Sequence, residues 1–81
     1  MNTKTEEKLL GIWREVLNNE DIGYEDNFFD VGGNSLYAMM LLNRIEDDFD
    51  VEVTVADLFE CVNVREVAQV IDKYKADSEA V

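Results

Sequence analysis

The residue best placed to take part in a chemical reaction is Ser35. It follows Gly32, Gly33 and Asn34 and precedes a long run of periodic apolar residues. That position predicts a serine where a helix begins. The two glycines allow a sharp turn and leave little side-chain bulk near the hydroxyl. We therefore expect the Ser35 hydroxyl to be open to a large partner.

Three roles are open to a serine at this place. It could be only an N-cap, accepting a hydrogen bond from an N–H group of the first helical turn. It could be a nucleophile, but that role needs a base within hydrogen-bond reach, and the chain has no histidine. Residues 33–37 also lack the second glycine of a G-x-S-x-G nucleophile elbow. We therefore assign no catalytic residue and interpret Ser35 as a residue that another enzyme modifies.

The elements that must position Ser35 begin with a helix and a long connection. Helix 1 is predicted from Thr3 or Thr5 to about Leu17, with Trp13 in the core. Residues 18–34 are longer than an ordinary link between helices and contain five carboxylates but no basic residue, so we expect those charges to be uncompensated. Apolar side chains must anchor this connection. The candidates are Ile22, Tyr24, Phe28, Phe29 and Val31.

Helix 2 is predicted from Ser35 to Asp48 or Phe49. Steps of about 100° per residue give it one apolar face and leave two methionines among the polar residues opposite. Unbranched thioether side chains suit a surface that fits several partners. The predicted buried face is Ala38, Leu41, Leu42, Ile45 and Phe49, and the predicted exposed face is Met39, Met40, Asn43, Arg44, Glu46 and Asp47.

Two further helices are marked by cap spacing. Thr54 with Asp57 opens a short third helix, and Asn63 with Glu66 opens a fourth. Residues 51–53 alternate like a strand but have no partner strand, so we expect an extended loop. The predicted buried stripe of the fourth helix is Val64, Val67, Ala68, Ile71 and Tyr74.

Length and composition limit the number of domains, the class of partner and the cellular compartment. Eighty-one residues allow a single domain, taken as residues 1–81 with an ordered core of about 5–75 and a frayed tail over 76–81. A net charge of -12 disfavours nucleic acid and membrane partners and favours a basic enzyme surface. The single cysteine, Cys61, cannot form an internal disulfide, and we expect neither a signal peptide nor a membrane segment. We expect a cytoplasmic monomer.

A metal loop is the alternative use of the acidic cluster at the end of helix 2. An EF-hand starting at Asp48 would place Val53 where glycine is required and Phe59 where the bidentate glutamate belongs. No metal site is predicted. The carboxylates of this cluster oppose the helix dipole, so we expect them to steer a basic partner rather than to stabilise the helix.

Short motifs occur in a fixed order around Ser35: NFFD at residues 27–30, GGNSL at 32–36, FDV at 49–51 and LF at 58–59. In this combination the chain resembles a peptidyl carrier protein, the thiolation domain of non-ribosomal peptide synthesis, within the phosphopantetheine-binding, acyl-carrier-protein-like family. The resemblance implies an all-α four-helix bundle of acyl-carrier-protein type, with a long loop between helices 1 and 2 and a short third helix. Its one departure is the absence of the proline that often precedes the last helix.

The same resemblance implies that Ser35 accepts 4'-phosphopantetheine from coenzyme A and carries an acyl or aminoacyl group as a thioester. The implied partners are a phosphopantetheinyl transferase, an adenylation or acyl-loading enzyme, and downstream condensing, tailoring or thioesterase enzymes. Each of these must bind and then release the carrier, which favours small contacts. The residues expected to make them are Asn34, Leu36, Met39, Met40 and Asn43.

Three hypotheses remain at this stage. Gly32-Gly33-Asn34 favours a peptidyl or aminoacyl carrier, because acyl carriers of fatty-acid synthesis more often resemble Asp-Ser-Leu at this point. The second hypothesis is an acyl carrier for polyketide or fatty-acid synthesis. The third is an unmodified acidic helical adaptor that binds a basic protein. The few residues ahead of the first helix favour a freestanding carrier, although an excised domain would look the same.

Overall fold

The computed structural model describes residues 3–79 and contains four helices in that range. They are α1 (Thr3–Leu17), α2 (Ser35–Phe49), α3 (Val55–Glu60) and α4 (Val64–Glu79). No strand occurs among these residues. The predicted all-α fold, with a long connection before α2 and a short third helix, is confirmed.

A single hydrophobic core joins the helices to the connection. Trp13 of α1 is fully buried and meets Phe28 of the connection edge-on, with ring centroids 5.4 Å apart. The face of α2 predicted to be buried is buried at all five positions, so the predicted rotation of this helix is confirmed. From α4 the core receives Val64, Val67, Ala68 and Ile71.

The connection, residues 18–34, is tied to the start of α4 by its backbone. The N–H of Phe28 donates to the carbonyl oxygen of Val62 at 2.7 Å, and the N–H of Arg65 donates to the carbonyl oxygen of Tyr24 at 3.2 Å. These bonds satisfy backbone groups that a long irregular segment would otherwise leave unpaired. The segment that leads to Ser35 therefore follows a defined path.

Phe29 is the one predicted anchor that does not enter the core. Its side chain is 38% exposed and lies between Phe28, at a centroid distance of 5.2 Å, and Phe59 of α3, at 5.5 Å. The prediction for Phe29 is wrong because neighbouring residues of this turn point to different sides, so one ring is buried and the next faces outwards. The anchors that do pack on or in the core are Ile22, Tyr24, Phe28 and Val31.

Tyr74 joins α3 to α4 and is only partly buried, unlike the rest of its predicted stripe. Its hydroxyl donates to Asp57 Oδ2 at 2.6 Å. The predicted cap of α3 is also present, because the N–H of Asp57 donates to Thr54 Oγ1 at 3.1 Å and the N–H of Thr54 donates to Asp57 Oδ2 at 3.2 Å. The bond from Tyr74, followed by those from Thr54, holds the pKa of Asp57 below its usual value.

The chain after Tyr74 remains helical for longer than predicted. α4 continues to Glu79, so residues 76–79 of the predicted tail are helical. Neither glycine nor proline follows Tyr74 to end the helix. The rest of that predicted tail, residues 80–81, lies outside the described residues.

Between α2 and α3, Val51 and Val53 are buried in the predicted extended loop. Within residues 3–79, no helix is both long and apolar enough to cross a membrane.

Acid is expected to weaken the attachment of α3. Because the pKa of Asp57 is lower in the folded state, its contribution to stability is present above the unfolded pKa of about 4 and is lost as pH falls through the folded pKa. We expect Asp57→Asn to reduce the free energy of unfolding at pH 7 and to have a smaller effect near pH 2, measured by chemical denaturation. Asp47→Asn on exposed α2 surface is the control. Equal losses for Asp57→Asn at both pH values would contradict the expectation.

Candidate functional site

Ser35 lies after a turn in which two glycines have different tasks. Gly32 has a φ of 106°, a backbone conformation that L side chains rarely adopt. Gly33 packs directly on Phe28: a Cβ at Gly33 would overlap the Phe28 ring, and the Gly33 N–H donates to the Phe28 carbonyl oxygen at 2.9 Å. One glycine therefore sets the direction of the turn, and the other allows its close approach to a buried ring.

Asn27 organises the residues just before this turn, a role that the sequence analysis missed. Its side-chain Oδ1 accepts a hydrogen bond from the N–H of Phe29 at 2.8 Å. Its carbonyl oxygen accepts from the N–H groups of Asp30 at 3.0 Å and Val31 at 3.2 Å. Asparagine commonly closes such turns by bonding the backbone two residues on, so its residue type was the available signal.

Asn34, rather than Ser35, caps α2. Asn34 has an extended backbone, with φ -151° and ψ -175°, and its Oδ1 accepts a hydrogen bond from the N–H of Tyr37 at 3.0 Å. Its carbonyl oxygen accepts from the N–H of Ala38 at 2.8 Å. The interpretation of Ser35 as only an N-cap is therefore wrong. Ser35 is the first helical residue and is exposed.

The residues predicted to contact partner enzymes are all exposed. Leu36 is 67% exposed, Met39 52% and Met40 44%, and Asn43 is also exposed. These four follow the i, i+3, i+4, i+7 spacing, which places them along one side of α2, starting one residue after Ser35. Asn34 is exposed as well, but its side-chain oxygen is used by the cap.

An exposed aromatic pair was not predicted. The rings of Phe29 and Phe59 stack at a centroid distance of 5.5 Å and an interplanar angle of 23°, while Phe59 remains 51% exposed. The two residues lie far apart in the sequence, so no local spacing could have indicated this contact. The pair adds apolar surface where α3 meets the connection before Ser35.

Charge around the connection is less uniform than its composition predicts. The guanidinium Nη1 of Arg65 lies 3.3 Å from Glu25 Oε1, so the expectation that all five carboxylates are uncompensated is wrong. The cation comes from α4, which the local sequence could not indicate. At the other end of α2, Arg44 lies 3.7 Å from Asp48. Residues 18–43 nevertheless contain no basic residue of their own.

Cys61 lacks the surroundings of a reactive thiol. It is partly buried, and burial, followed by the nearby charges of Glu66, Glu60 and Asp57, raises its pKa. A thiol of raised pKa is a poor nucleophile at neutral pH. Over residues 3–79, no three His, Cys, Asp or Glu side chains are grouped as a metal site would require.

Comparison with known proteins adds independent information. A family profile described as "Phosphopantetheine attachment site" matches residues 7–71. The chain is 41% identical over 73 residues to Gramicidin S synthase 2 of Brevibacillus brevis, covering 90% of this chain and 2% of that protein. It is also 41% identical over 73 residues to Polyketide synthase PksN of Bacillus subtilis (strain 168), covering 90% of this chain and 1% of that protein. The chain thus spans only a small part of these relatives.

One solved structure is similar to this chain over most of the length of both. It contains a peptidyl carrier protein in complex with the phosphopantetheine transferase Sfp and coenzyme A. The TM-score is 0.82 at 35% sequence identity, and the match covers 85% of this chain and 90% of that chain.

Alanine substitutions at two glycines should have opposite effects. Gly33→Ala would place a Cβ against the Phe28 ring and carbonyl, and we expect it to cost about 1–3 kcal/mol in the free energy of unfolding. Gly11→Ala is the control, because Gly11 is an exposed position inside α1 with nothing within 4 Å of the added Cβ. It should stabilise the protein by about 0.5–1 kcal/mol. Chemical denaturation measures both, and a loss of similar size at Gly11 would contradict the packing argument.

Proposed function

The chain belongs to the phosphopantetheine attachment site family, and we propose that it is a peptidyl or aminoacyl carrier whose attachment residue is Ser35. The observation that carries this proposal is the position of Ser35, which is exposed as the first residue of α2 while Asn34 provides the cap. The neighbouring turn supports the same role, since Gly32 and Gly33 bring no side chain near the hydroxyl.

The residues around Ser35 fit a 4'-phosphopantetheine group. The hydroxyl would supply the oxygen of a phosphodiester, and the first turn of the 15-residue helix α2 favours a negative charge there. The N–H groups of Ser35 and Leu36, which precede the one used by Asn34, are available in that turn. When bound, the group supplies a terminal thiol that holds the cargo as a thioester.

Proton transfer and acyl transfer are assigned to the partner enzymes. The chain has no histidine to act as a base for Ser35. Its one thiol, Cys61, has a raised pKa and is therefore not activated. We propose that the chain is a non-catalytic carrier that other enzymes load and unload. Its lone cysteine also supports the cytoplasmic location that we propose for it.

The proposed contact surface extends from the site along α2. Leu36, Met39 and Met40 offer exposed apolar side chains, and Asn43 continues the same side of the helix. A small surface of this kind suits partners that must bind briefly. The first proposed partner is a phosphopantetheinyl transferase, supported by the complex in which a similar carrier was solved. An adenylation or acyl-loading enzyme and downstream condensing, tailoring or thioesterase enzymes complete the proposal.

A second candidate is an acyl carrier of polyketide type. Its support is the relative from a polyketide synthase, which matches this chain as well as the peptide synthase relative does. Both candidates use the same chemistry at Ser35 and differ in the cargo. The two candidates can be separated by incubating the phosphopantetheine-bearing chain with amino acid-activating or acyl-activating enzymes. Intact mass then shows which cargo is attached.

Modification should occur once and at Ser35. We expect the intact mass to increase by one phosphopantetheine after incubation with coenzyme A and a phosphopantetheinyl transferase. Ser35→Ala should gain nothing, while Ser78→Ala, which removes the only other serine, should be modified like the wild type. Circular dichroism checks that the variants are folded. Modification of Ser35→Ala would overturn the assignment, and an unmodified wild type would favour the adaptor hypothesis.

Substitutions on the two sides of α2 should separate partner use from stability. Met39→Glu or Met40→Glu should lower kcat/KM for the loading enzyme and leave the free energy of unfolding nearly unchanged, because both side chains are exposed. Leu41→Ala or Ile45→Ala should cost about 2–5 kcal/mol, because both side chains are fully buried. Similar losses of stability at all four positions would contradict this division of the helix.

A further inference from the structure

Two residues that favour the N-cap position stand side by side at the start of α2. Asparagine and serine are both strongly preferred there, because each has a short side chain with an oxygen that accepts from the first-turn N–H groups. A helix has one N-cap, so Asn34 and Ser35 compete for it. The choice decides whether the Ser35 hydroxyl oxygen is engaged by the helix.

The observed choice is Asn34, and the backbone before it explains why. The Gly33 N–H is held by the carbonyl of the buried Phe28 at 2.9 Å, and Asn34 leaves that point with extended φ and ψ of -151° and -175°. An extended backbone is the conformation of an N-cap residue. The turn thus presents Asn34 to the helix as its cap and leaves Ser35 in the first helical position.

Capping by Asn34 changes what Ser35 is free to do. The Tyr37 N–H is taken by Asn34 Oδ1 at 3.0 Å, and the Ala38 N–H by the Asn34 carbonyl at 2.8 Å. If α2 began one residue later, Ser35 would be the cap, and its hydroxyl oxygen would accept from the Ala38 N–H. Across residues 3–79, the Ser35 hydroxyl takes part in no hydrogen bond in the observed register.

We propose that Asn34 is a positioning residue for the modification of Ser35: it occupies the cap and thereby keeps the serine hydroxyl unengaged. This inference rests on the proposed function. In it, Asn34 acts through the register of α2 and not through contact with the transferase or the incoming group. It therefore gives Asn34 a different role from the partner contact predicted from the sequence.

Loss of the cap should lower the fraction of molecules that can be modified. Without Asn34 Oδ1, the register in which Ser35 caps the helix becomes populated, and the apparent affinity of the transferase falls with the competent fraction. An N-cap contributes typically about 1 kcal/mol, which corresponds to roughly fivefold in an equilibrium. The expected loss in kcat/KM therefore has an upper limit of about fivefold.

Four variants of Asn34 separate capping from amide chemistry. Asn34→Asp and Asn34→Thr keep a side chain of cap-forming length, whereas Asn34→Ala removes it and Asn34→Gln keeps the amide on a longer side chain. The assay is transfer from coenzyme A by a phosphopantetheinyl transferase, followed by intact mass and peptide mapping to Ser35. We expect the Asp and Thr variants to stay within about twofold of the wild type. The Ala and Gln variants should fall by more than about twofold, up to about fivefold. Normal transfer in the Gln variant with loss in the Asp variant would mean direct amide contact and would overturn the proposal.

Hydrogen exchange gives a readout that a change in stability alone would not produce. In Asn34→Ala, the Tyr37 amide should exchange faster while the Ala38 amide keeps a partner, because Ser35 then caps the helix. Val67→Ala is the matched control, since it destabilises the core through α4 without touching the cap. It should leave both the transfer rate and the ratio of the two exchange rates unchanged below its melting temperature. Equal loss of transfer in Val67→Ala would overturn the proposal.

The outcomes also separate this inference from the function on which it depends. If the wild type is modified at Ser35 and Asn34→Ala is modified at the wild-type rate, the positioning role is wrong and the carrier function stands. A wild type that is not modified would overturn both.

Discussion

The contact between Phe28 and Gly33 is the constraint on which the site depends. Phe28 is buried against Trp13 on one side and accepts the Gly33 N–H on the other, and its own N–H is bound by Val62. Protein interiors are packed so closely that a single added carbon atom changes stability. The absence of a Cβ at Gly33 therefore allows the backbone before Ser35 to lie on the core. The position of the site is fixed by the core rather than by bonds of the serine itself.

Polar contacts supplement the core where helices are too short to pack fully. α3 has six residues, which is below the length at which a helix is stable alone, and Asp57 binds both Thr54 and Tyr74. Between α1 and α4, the buried carboxylate of Glu6 lies 3.7 Å from Arg65, which also pairs with Glu25 of the connection. Such ties are expected in a chain whose small core contributes limited stability.

Sequence periodicity predicted the helices well because it depends only on local geometry. The buried face of α2 followed from its spacing, and so did the caps at Thr54 and Asn63. What could not be predicted depends on distant residues or on a choice between equal propensities. The outward-facing ring of Phe29 stacks on Phe59 of α3, and Glu25 is paired because α4 brings Arg65 to it. Asn34 and Ser35 have similar cap propensities, and the path of the preceding turn favours Asn34.

The position of Trp13 in the core has a consequence for the fluorescence of the protein. It is the only tryptophan in the chain, it is fully buried, and its ring system and the Phe28 ring form a T-shaped pair with an interplanar angle of 84°. Phe28 in turn supports Gly33, so the indole is two contacts away from the backbone that leads to Ser35. Its ultraviolet emission therefore reports on the base of this turn from inside the core. The protein carries a native fluorophore that can follow changes near the serine without any added label.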